Sequence, residues 1–74
     1  MRNPADIFIE IVNIIKLRPG ILKSFIGSKA GLNMYTLDKY LRCLIDAGYI
    51  EKRAGEPNST KIGYYPTKKG EKLE

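Results

Sequence analysis

Positively charged and hydroxyl side chains carry most of the chemical capacity of this sequence. Thirteen Lys and Arg outnumber eight Asp and Glu, so the 74 residues have a formal net charge of +5. Such an excess of cations on a small surface favours a polyanionic partner, either nucleic acid or an anionic membrane surface. A basic surface with no such partner is the alternative, because net charge bears on partners and not on fold.

Residues for catalysis or metal binding are scarce. The chain has no histidine and one cysteine, Cys43. Histidine is the commonest general base, and a zinc site needs several Cys, His or carboxylate ligands at close spacing. Because no nucleophile–base set, paired carboxylates or glycine-rich phosphate loop is present, we predict no enzyme activity, no cofactor and no metal site. Cys43 is predicted to be a packing residue beside an apolar stripe, with a redox sensor as the alternative.

The first candidate site is the polar face of a helix predicted from Met34 to about Ala47. With Leu37 turned inward, the residues that point outward are Tyr35, Asp38, Lys39, Arg42 and Asp46, with Asn33, Met34 and Thr36 at the leading end. An α-helix fits the major groove of DNA, and its N-terminal half reaches the base edges.

Roles on this face follow from side-chain chemistry. We assign Tyr35, Thr36 and Lys39 to base or near-base contacts, and Arg42 to a phosphate or a guanine. Asp38 would repel phosphates but could accept a hydrogen bond from the cytosine amine. A solvated helix face is the alternative, because its charges are mixed.

The second candidate site combines cations with small polar residues that allow close approach to a sugar-phosphate backbone. Its members are Lys52, Arg53, Asn58, Ser59, Thr60 and Lys61. Lys23 and Ser24 offer a further phosphate site at a helix N-terminus, with plain capping and solubility as the alternative. Contacts to phosphates position a protein on DNA without specifying sequence.

Three helices and a hairpin must position these residues. Asn3-Pro4 begins a helix that should run to about Leu17, where Arg18-Pro19-Gly20 ends it. Its predicted core residues are Ile7, Ile11, Ile14 and Ile15, flanked by Phe8 and Val12, with Ile9 almost opposite. This apolar surface suggests either a dimer face on helix 1 or a helix that other elements cover completely.

The central segment reads as two more helices. After the short extended piece 20–22, Ser24 is predicted to cap a helix over Phe25–Ala30 that ends at Gly31. Asn33 is the predicted N-cap of the third helix, which Gly48 ends. The buried stripe of that helix is Leu37, Leu41, Leu44 and Ile45, with Tyr40 at its edge.

After Gly48 the pattern changes to strands. Residues 49–53 predict a strand with Ile50 inward, residues 54–60 a turn-rich loop, and residues 61–66 a returning strand with Ile62 and Tyr64 on one face. Thr67 caps a short last helix that runs to the chain end. Tyr40, Tyr49 and Tyr64 are predicted to pack, and Tyr65 to point away from the core.

Two short helices joined by a glycine-containing turn are typical of a helix-turn-helix. Ile26 and Leu37 lie where the helices must press together, Gly27 where they cross closely, and Leu32 in the turn after Gly31. We therefore predict an α+β, mainly α fold, a winged helix-turn-helix. It has a three-helix core, a two- to three-stranded β-wing and a short C-terminal helix. One domain spans 1–74, with the helix-turn-helix at 24–47 and the wing at 49–66.

Four motifs resemble the small archaeal winged-helix DNA-binding proteins. They are Gly20-Ile21-Leu22-Lys23-Ser24, then Ala30-Gly31-Leu32-Asn33, then Tyr40-Leu41 with Leu44 and Gly48-Tyr49-Ile50, and last Tyr64-Tyr65-Pro66-Thr67-Lys68-Lys69-Gly70. The resemblance covers nearly the whole chain. Pro66 departs from the pattern, which usually has an aliphatic residue there. Several relatives continue into a long dimerising helix, so the shorter ending here shifts the expected dimer contact towards helix 1.

The resemblance implies a protein that binds double-stranded DNA, regulates transcription and forms a homodimer, with an archaeal, viral or plasmid origin. The apolar stretch from Ile7 to Leu17 is too short and too polar for a membrane span and lacks a small-residue cleavage site, so we expect a cytoplasmic protein. The helix at 34–47 would read the major groove, and the wing would contact the backbone. A different class of function, a winged helix that docks on the transcription machinery through protein contacts, is the alternative. An exposed apolar face and no salt-sensitive DNA affinity would distinguish it.

Overall fold

The computed structural model describes residues 3–54 and 62–73. The elements run in the order α1 (Pro4–Leu17), β1 (Ile21–Leu22), α2 (Lys23–Ala30), α3 (Met34–Asp46), β2 (Ile50–Ala54), β3 (Ile62–Pro66) and α4 (Lys68–Glu71). The strands form an antiparallel sheet in the order β1-β3-β2. The predicted fold class is therefore confirmed: three helices pack on a small sheet, and a short helix follows it.

Helix α1 begins and ends where its local signals predict. The side chain of Asn3 accepts a hydrogen bond from the backbone N–H of Ala5 at 2.8 Å, and Pro4 occupies the first turn. Its buried residues are Ile7, Ile11, Val12 and Ile15, while Phe8 and Ile14 are partly buried against the same core. Other elements thus cover most of its apolar stripe, although Leu17 at its end is 88% exposed.

Helix α2 begins earlier than the sequence predicts. Its N-cap is Leu22, which supplies no side-chain cap, so Ser24 lies inside the first turn and the predicted cap at Ser24 is wrong. The reason is tertiary, because Leu22 pairs with Gly63 of β3 and the chain turns into the helix directly from that pair. Gly31 ends the helix with a φ of +69°, as predicted.

The two helices of the helix-turn-helix meet at small and fully buried residues. Ile26 and Leu37 are both 0% exposed. A Cβ added at Gly27 would lie 3.2 Å from the carbonyl oxygen of Leu32 and 3.2 Å from Cδ2 of Leu37, so these neighbours would have to shift to admit a side chain at the crossing. The side chain of Asn33 caps α3 by accepting from the backbone N–H of Thr36 at 2.8 Å, which fixes where that helix begins.

The hairpin differs from the prediction at its outer end. Ile50 is 1% exposed and Tyr64 is 7% exposed, so both point into the core. Ile62 was expected to be inward as well, but it is 43% exposed. It pairs with Ala54 at the end of the hairpin farthest from the Ile50–Pro66 pair. It therefore shares the face of Tyr64 but extends past the helices that cover Tyr64.

Cys43 does not pack in the core, because it is exposed on α3. The buried stripe of that helix consists of Leu37, Leu41 and Leu44. One residue in a helix turns the side chain by about 100°, which moves Cys43 off this stripe towards α1. The prediction of a packing role for the cysteine is corrected accordingly.

The C-terminal segment fastens the hairpin to the end of α3. The hydroxyl of Thr67 donates to the carbonyl oxygen of Gly48 and accepts from the backbone N–H of Gly70. The Lys69 ammonium donates to the carbonyl oxygen of Ala47 at 2.8 Å and lies 4.6 Å from the ring centroid of Tyr49. The motif Thr67-Lys68-Lys69-Gly70 thus acts as a structural clip between the hairpin and α3. The helix that contains it ends at Glu71, whereas the sequence predicted that it would run to the end of the chain.

Candidate nucleic-acid interface

The leading half of α3 presents an exposed polar face. Tyr35 is 75% exposed and Met34 is 44% exposed, while Lys39 and Arg42 are also exposed. The Lys39 ammonium lies 5.3 Å from the centroid of the Tyr35 ring, one turn earlier on the same face. These side chains point outward, as the placement of Leu37 in the core requires.

Two residues of the predicted helix site lie at its margin. Thr36 is half-buried and borders a hollow beside α1, which is lined by Pro4, Phe8, Thr36, Lys39, Tyr40 and Cys43. Asn33 is exposed, but its side-chain oxygen, Oδ1, already accepts the capping hydrogen bond from the N–H of Thr36. Its amide NH₂ is therefore the part of the side chain that remains to bind a partner.

The other side of α3 faces the hairpin across a shallow hollow. Its lining residues are Asp38, Leu41, Arg42, Ile45, Asp46, Lys52 and Tyr64. The hollow brings Arg42 of the predicted helix site and Lys52 of the predicted wing site to one surface, although they lie on different elements. Both cations are exposed, so both can contact a polyanion there.

Lys23 and Asp38 form an ion pair that joins α2 to α3. Their side chains are 34% and 55% exposed. Both line a second hollow, together with Leu22, Ser24, Lys52, Ile62 and Tyr64. The predicted phosphate site of Lys23 and Ser24 therefore adjoins both α3 and the hairpin.

Burial raises the pKa of the Tyr64 phenol, while the charge of Lys23 lowers that pKa and the charge of Asp38 raises it.

Arg53 lies on the opposite face of the hairpin from Lys52, because neighbouring strand residues point to opposite sides. Its guanidinium forms an ion pair with Glu51 and lies 4.7 Å from the centroid of the Tyr65 ring. The Tyr65 hydroxyl in turn lies beside Gly20, 3.1 Å from where a Cβ would be. The structure does not bring Arg53 together with Arg42 and Lys52. The predicted wing residues Asn58, Ser59, Thr60 and Lys61 lie outside the described residues.

Two features were not foreseen from the sequence. Lys23 and Asp38 are fifteen positions apart, and no local pattern signals that they pair. The second feature is an apolar groove of about 340 Å³ on the α1 side of α3, lined by Ala5, Phe8, Ile9, Cys43, Leu44, Ala47, Tyr49 and Leu73. The apolar excess of α1, which suggested a dimer face, is the sequence signal that could have located this groove.

In residues 3–54 and 62–73, no three or more His, Cys, Asp or Glu side chains cluster in a way that could hold a metal ion. No helix in this part of the chain is both long and apolar enough to cross a bilayer.

Solved structures share this fold. FabT of Streptococcus pneumoniae, determined in complex with DNA, aligns with a TM-score of 0.81 and 23% identity over 86% of this chain and 45% of that chain. The PcaV transcriptional regulator from Streptomyces coelicolor, in complex with its natural ligand, aligns with a TM-score of 0.82 and 18% identity, over 89% of this chain and 47% of that one. A MarR protein from Peptoclostridium difficile aligns with a TM-score of 0.71 and 25% identity, over 80% and 39%.

The chain spans less than half the length of these three structures. Among proteins with curated functions, none matches it significantly. A family model described as winged helix-turn-helix matches residues 1–74. The match covers every element from α1 to α4, and the chain belongs to the winged helix-turn-helix family.

Proposed function

We propose that this protein binds double-stranded DNA and regulates transcription, with α3 in the major groove. The observation that carries the proposal is the surface on which Tyr35, Lys39 and Arg42 of α3 are exposed next to Lys52 of the hairpin. The fold supports it, since a solved structure that shares it, FabT, was determined in complex with DNA. The net charge of +5 adds the attraction that a polyanionic partner requires.

Within this proposal the two parts of the surface act differently. Tyr35, Thr36 and Lys39 approach the base edges, while Arg42 contacts a guanine or a phosphate. Asn33 and Met34 lie at the leading end of the helix. Backbone contacts come from Lys23, Ser24, Lys52 and the segment Asn58–Lys61. Arg53, which the sequence also suggested for this role, is left out because it lies on the opposite face of the hairpin with Glu51 and Tyr65. Sequence preference would then depend on α3, and the salt-dependent part of the affinity on both elements.

The proposal is tested by titrating a labelled duplex with the protein over a series of salt concentrations and following fluorescence anisotropy. Neutralised phosphates release counterions, so log K should fall linearly with log salt, by about 0.9 for each phosphate contacted. A single-stranded oligonucleotide of the same sequence serves as the control and should bind more weakly. Absence of duplex binding at low salt would remove the proposal.

A second candidate function is docking on the transcription machinery through protein contacts. The apolar groove beside α1 favours it, because its lining is almost wholly apolar and includes the exposed Cys43. Binding to a protein partner through this groove would be insensitive to salt, and Ala5→Asp or Ala47→Asp would weaken it without affecting duplex affinity.

We further propose that the chain acts as one domain, in the cytoplasm, and as a homodimer in which α1 contributes to the contact. Ile9 and Phe8 of α1 line the apolar groove, and Leu17 is exposed. A dimer should engage half-sites about 34–36 Å apart, which is one turn of the DNA helix. Light scattering of the purified chain, with and without DNA, measures its molar mass and so shows whether it is a dimer. The archaeal origin that the resemblance implies stays a prediction.

A further inference from the structure

The ion pair between Lys23 and Asp38 contributes little to holding the helix-turn-helix together. The Asp38 side chain is exposed and that of Lys23 is half-buried, and ion pairs in contact with solvent in this way add little to stability. The contact between α2 and α3 depends instead on Ile26 and Leu37, which are fully buried, and on the close crossing at Gly27. The position of the pair is consistent instead with a role at the surface where it lies.

Asp38 lies at the centre of the surface proposed to bind DNA. It lines both hollows between the helices and the hairpin, where the cations around it are Lys23, Arg42 and Lys52. A carboxylate in this position repels phosphates and cancels the charge of Lys23. It lowers affinity for DNA of any sequence unless the DNA supplies something in return.

The carboxylate also keeps room for a hydrogen-bond donor. Lys23 engages its Oδ1 atom, and in the described ranges no other group donates to this side chain. A carboxylate has about four acceptor positions, so Oδ2 stays able to accept from a donor that approaches from solvent. In the major groove the exocyclic amine of cytosine is the donor that pairs with Asp.

We propose that Asp38 is a specificity-determining residue that accepts a hydrogen bond from a cytosine amine and makes binding to sites without this donor weaker. The proposal rests on the proposed DNA-binding function and deepens it. Discrimination arises from a repulsive element as well as an attractive one, because a site lacking the donor leaves the carboxylate facing phosphates with no compensating bond. Lys23 is the positioning residue, which holds Oδ1 and so orients the carboxylate.

The test selects bound sequences from a pool of random-sequence duplexes with wild type, Asp38→Ala and Asp46→Ala. Asp46 is the matched control, since it is an exposed carboxylate about two turns further along the same helix, lies outside the hollow that holds Lys23, and forms no described ion pair. Asp38→Ala should abolish the preference for cytosine at one base pair, a loss of about fivefold or more in discrimination. It should also raise affinity for unselected duplex and steepen the salt slope by about 0.9, as Lys23 is freed for a phosphate. Asp46→Ala should leave the cytosine preference unchanged.

A second variant, Lys23→Met, separates the two members of the pair. It keeps the carboxylate but removes the cation that orients it, so it should weaken binding to all sequences and reduce the cytosine preference without abolishing it. Equal behaviour of Asp38→Ala and Asp46→Ala, with wild type binding duplex DNA, overturns this inference alone. Loss of the preference in Lys23→Met but not in Asp38→Ala overturns it as well. Failure of wild type to bind any duplex overturns the proposed function, and the inference with it.

Discussion

The carbonyl oxygen of Tyr49 lies directly against Gly70, in the space that any side chain at residue 70 would occupy. A Cβ added at Gly70 would overlap this oxygen, which also accepts a hydrogen bond from the backbone N–H of Thr67 at 3.1 Å. With the contacts of Thr67 to Gly48 and of Lys69 to Ala47, this relationship fixes α4 against the carbonyl end of α3. The clip sets the position of the hairpin relative to the helix proposed to read DNA.

Gly70→Ala should destabilise the protein by about 1–3 kcal/mol, because the backbone must shift to admit the methyl group. For a domain of this size each kcal/mol corresponds to a fall of about 4–8 °C in Tm. Thermal unfolding followed by circular dichroism measures the change. Glu71→Ala, at an exposed position of the same helix, is the control. Equal melting temperatures for the two variants would contradict the close contact.

Leu37→Ala should cost about 2–5 kcal/mol, because Leu37 is fully buried between α2 and α3 and its loss leaves a cavity. Leu17→Ala removes the same atoms from a side chain that is 88% exposed, and should change stability by less than about 0.5 kcal/mol. Urea unfolding of the two variants gives both values. A similar loss in both would mean that the assignment of the core is wrong.

Asn33→Ala should lower stability by about 1 kcal/mol, because the hydrogen bond from the N–H of Thr36 is lost at the start of α3. Asn33→Asp keeps that acceptor and should preserve stability. The order should be reversed for DNA affinity. Asn33→Asp should bind duplex DNA more weakly than Asn33→Ala, since the added carboxylate repels phosphates at the leading end of the helix. Chemical denaturation and duplex titration, performed on both variants, separate the cap from the interface. Equal stability of the two variants would argue against the cap.

Lys52→Ala should weaken duplex binding more than Arg53→Ala does. Lys52 faces the hollow that it shares with Arg42, whereas Arg53 is on the far side of the hairpin with Glu51 and Tyr65. In the Lys52 variant, the slope of log K against log salt should also be shallower by about 0.9, as expected for the loss of one phosphate contact. The two variants remove the same charge, so each controls for the other. A larger loss with Arg53→Ala would show that the outer face of the hairpin meets the DNA.

Signals carried by neighbouring residues predicted much of this fold. Asn3, Asn33 and Thr67 cap the helices as expected, because a side chain that accepts from a backbone N–H two or three positions later acts within one turn. Gly31 and Gly48 have φ angles of +69° and +84°, the conformation that ends a helix.

Features that depend on distant contacts were not predictable in this way. The start of α2 is set by the pairing of Leu22 with Gly63, forty-one positions away in the sequence. The exposure of Ile62 depends on how far the hairpin extends beyond the helices. In the candidate site the exposed residues of α3 followed from the helical period alone. The pairing of Lys23 with Asp38 required the packed structure. The separation of Arg53 from Lys52 follows from strand alternation, which the grouping of both residues in one wing site did not take into account.

NMR spectroscopy can show directly whether α3 and the inner face of the hairpin bind duplex DNA. At 8.4 kDa the protein is suited to ¹H–¹⁵N correlation spectra recorded during addition of a short duplex. We predict that the largest shift changes occur in residues 33–42 and around Lys23 and Lys52, and that they diminish as salt is added. Changes confined to the apolar groove around Ile9, Cys43 and Leu73, or no changes at low salt, would contradict the claim.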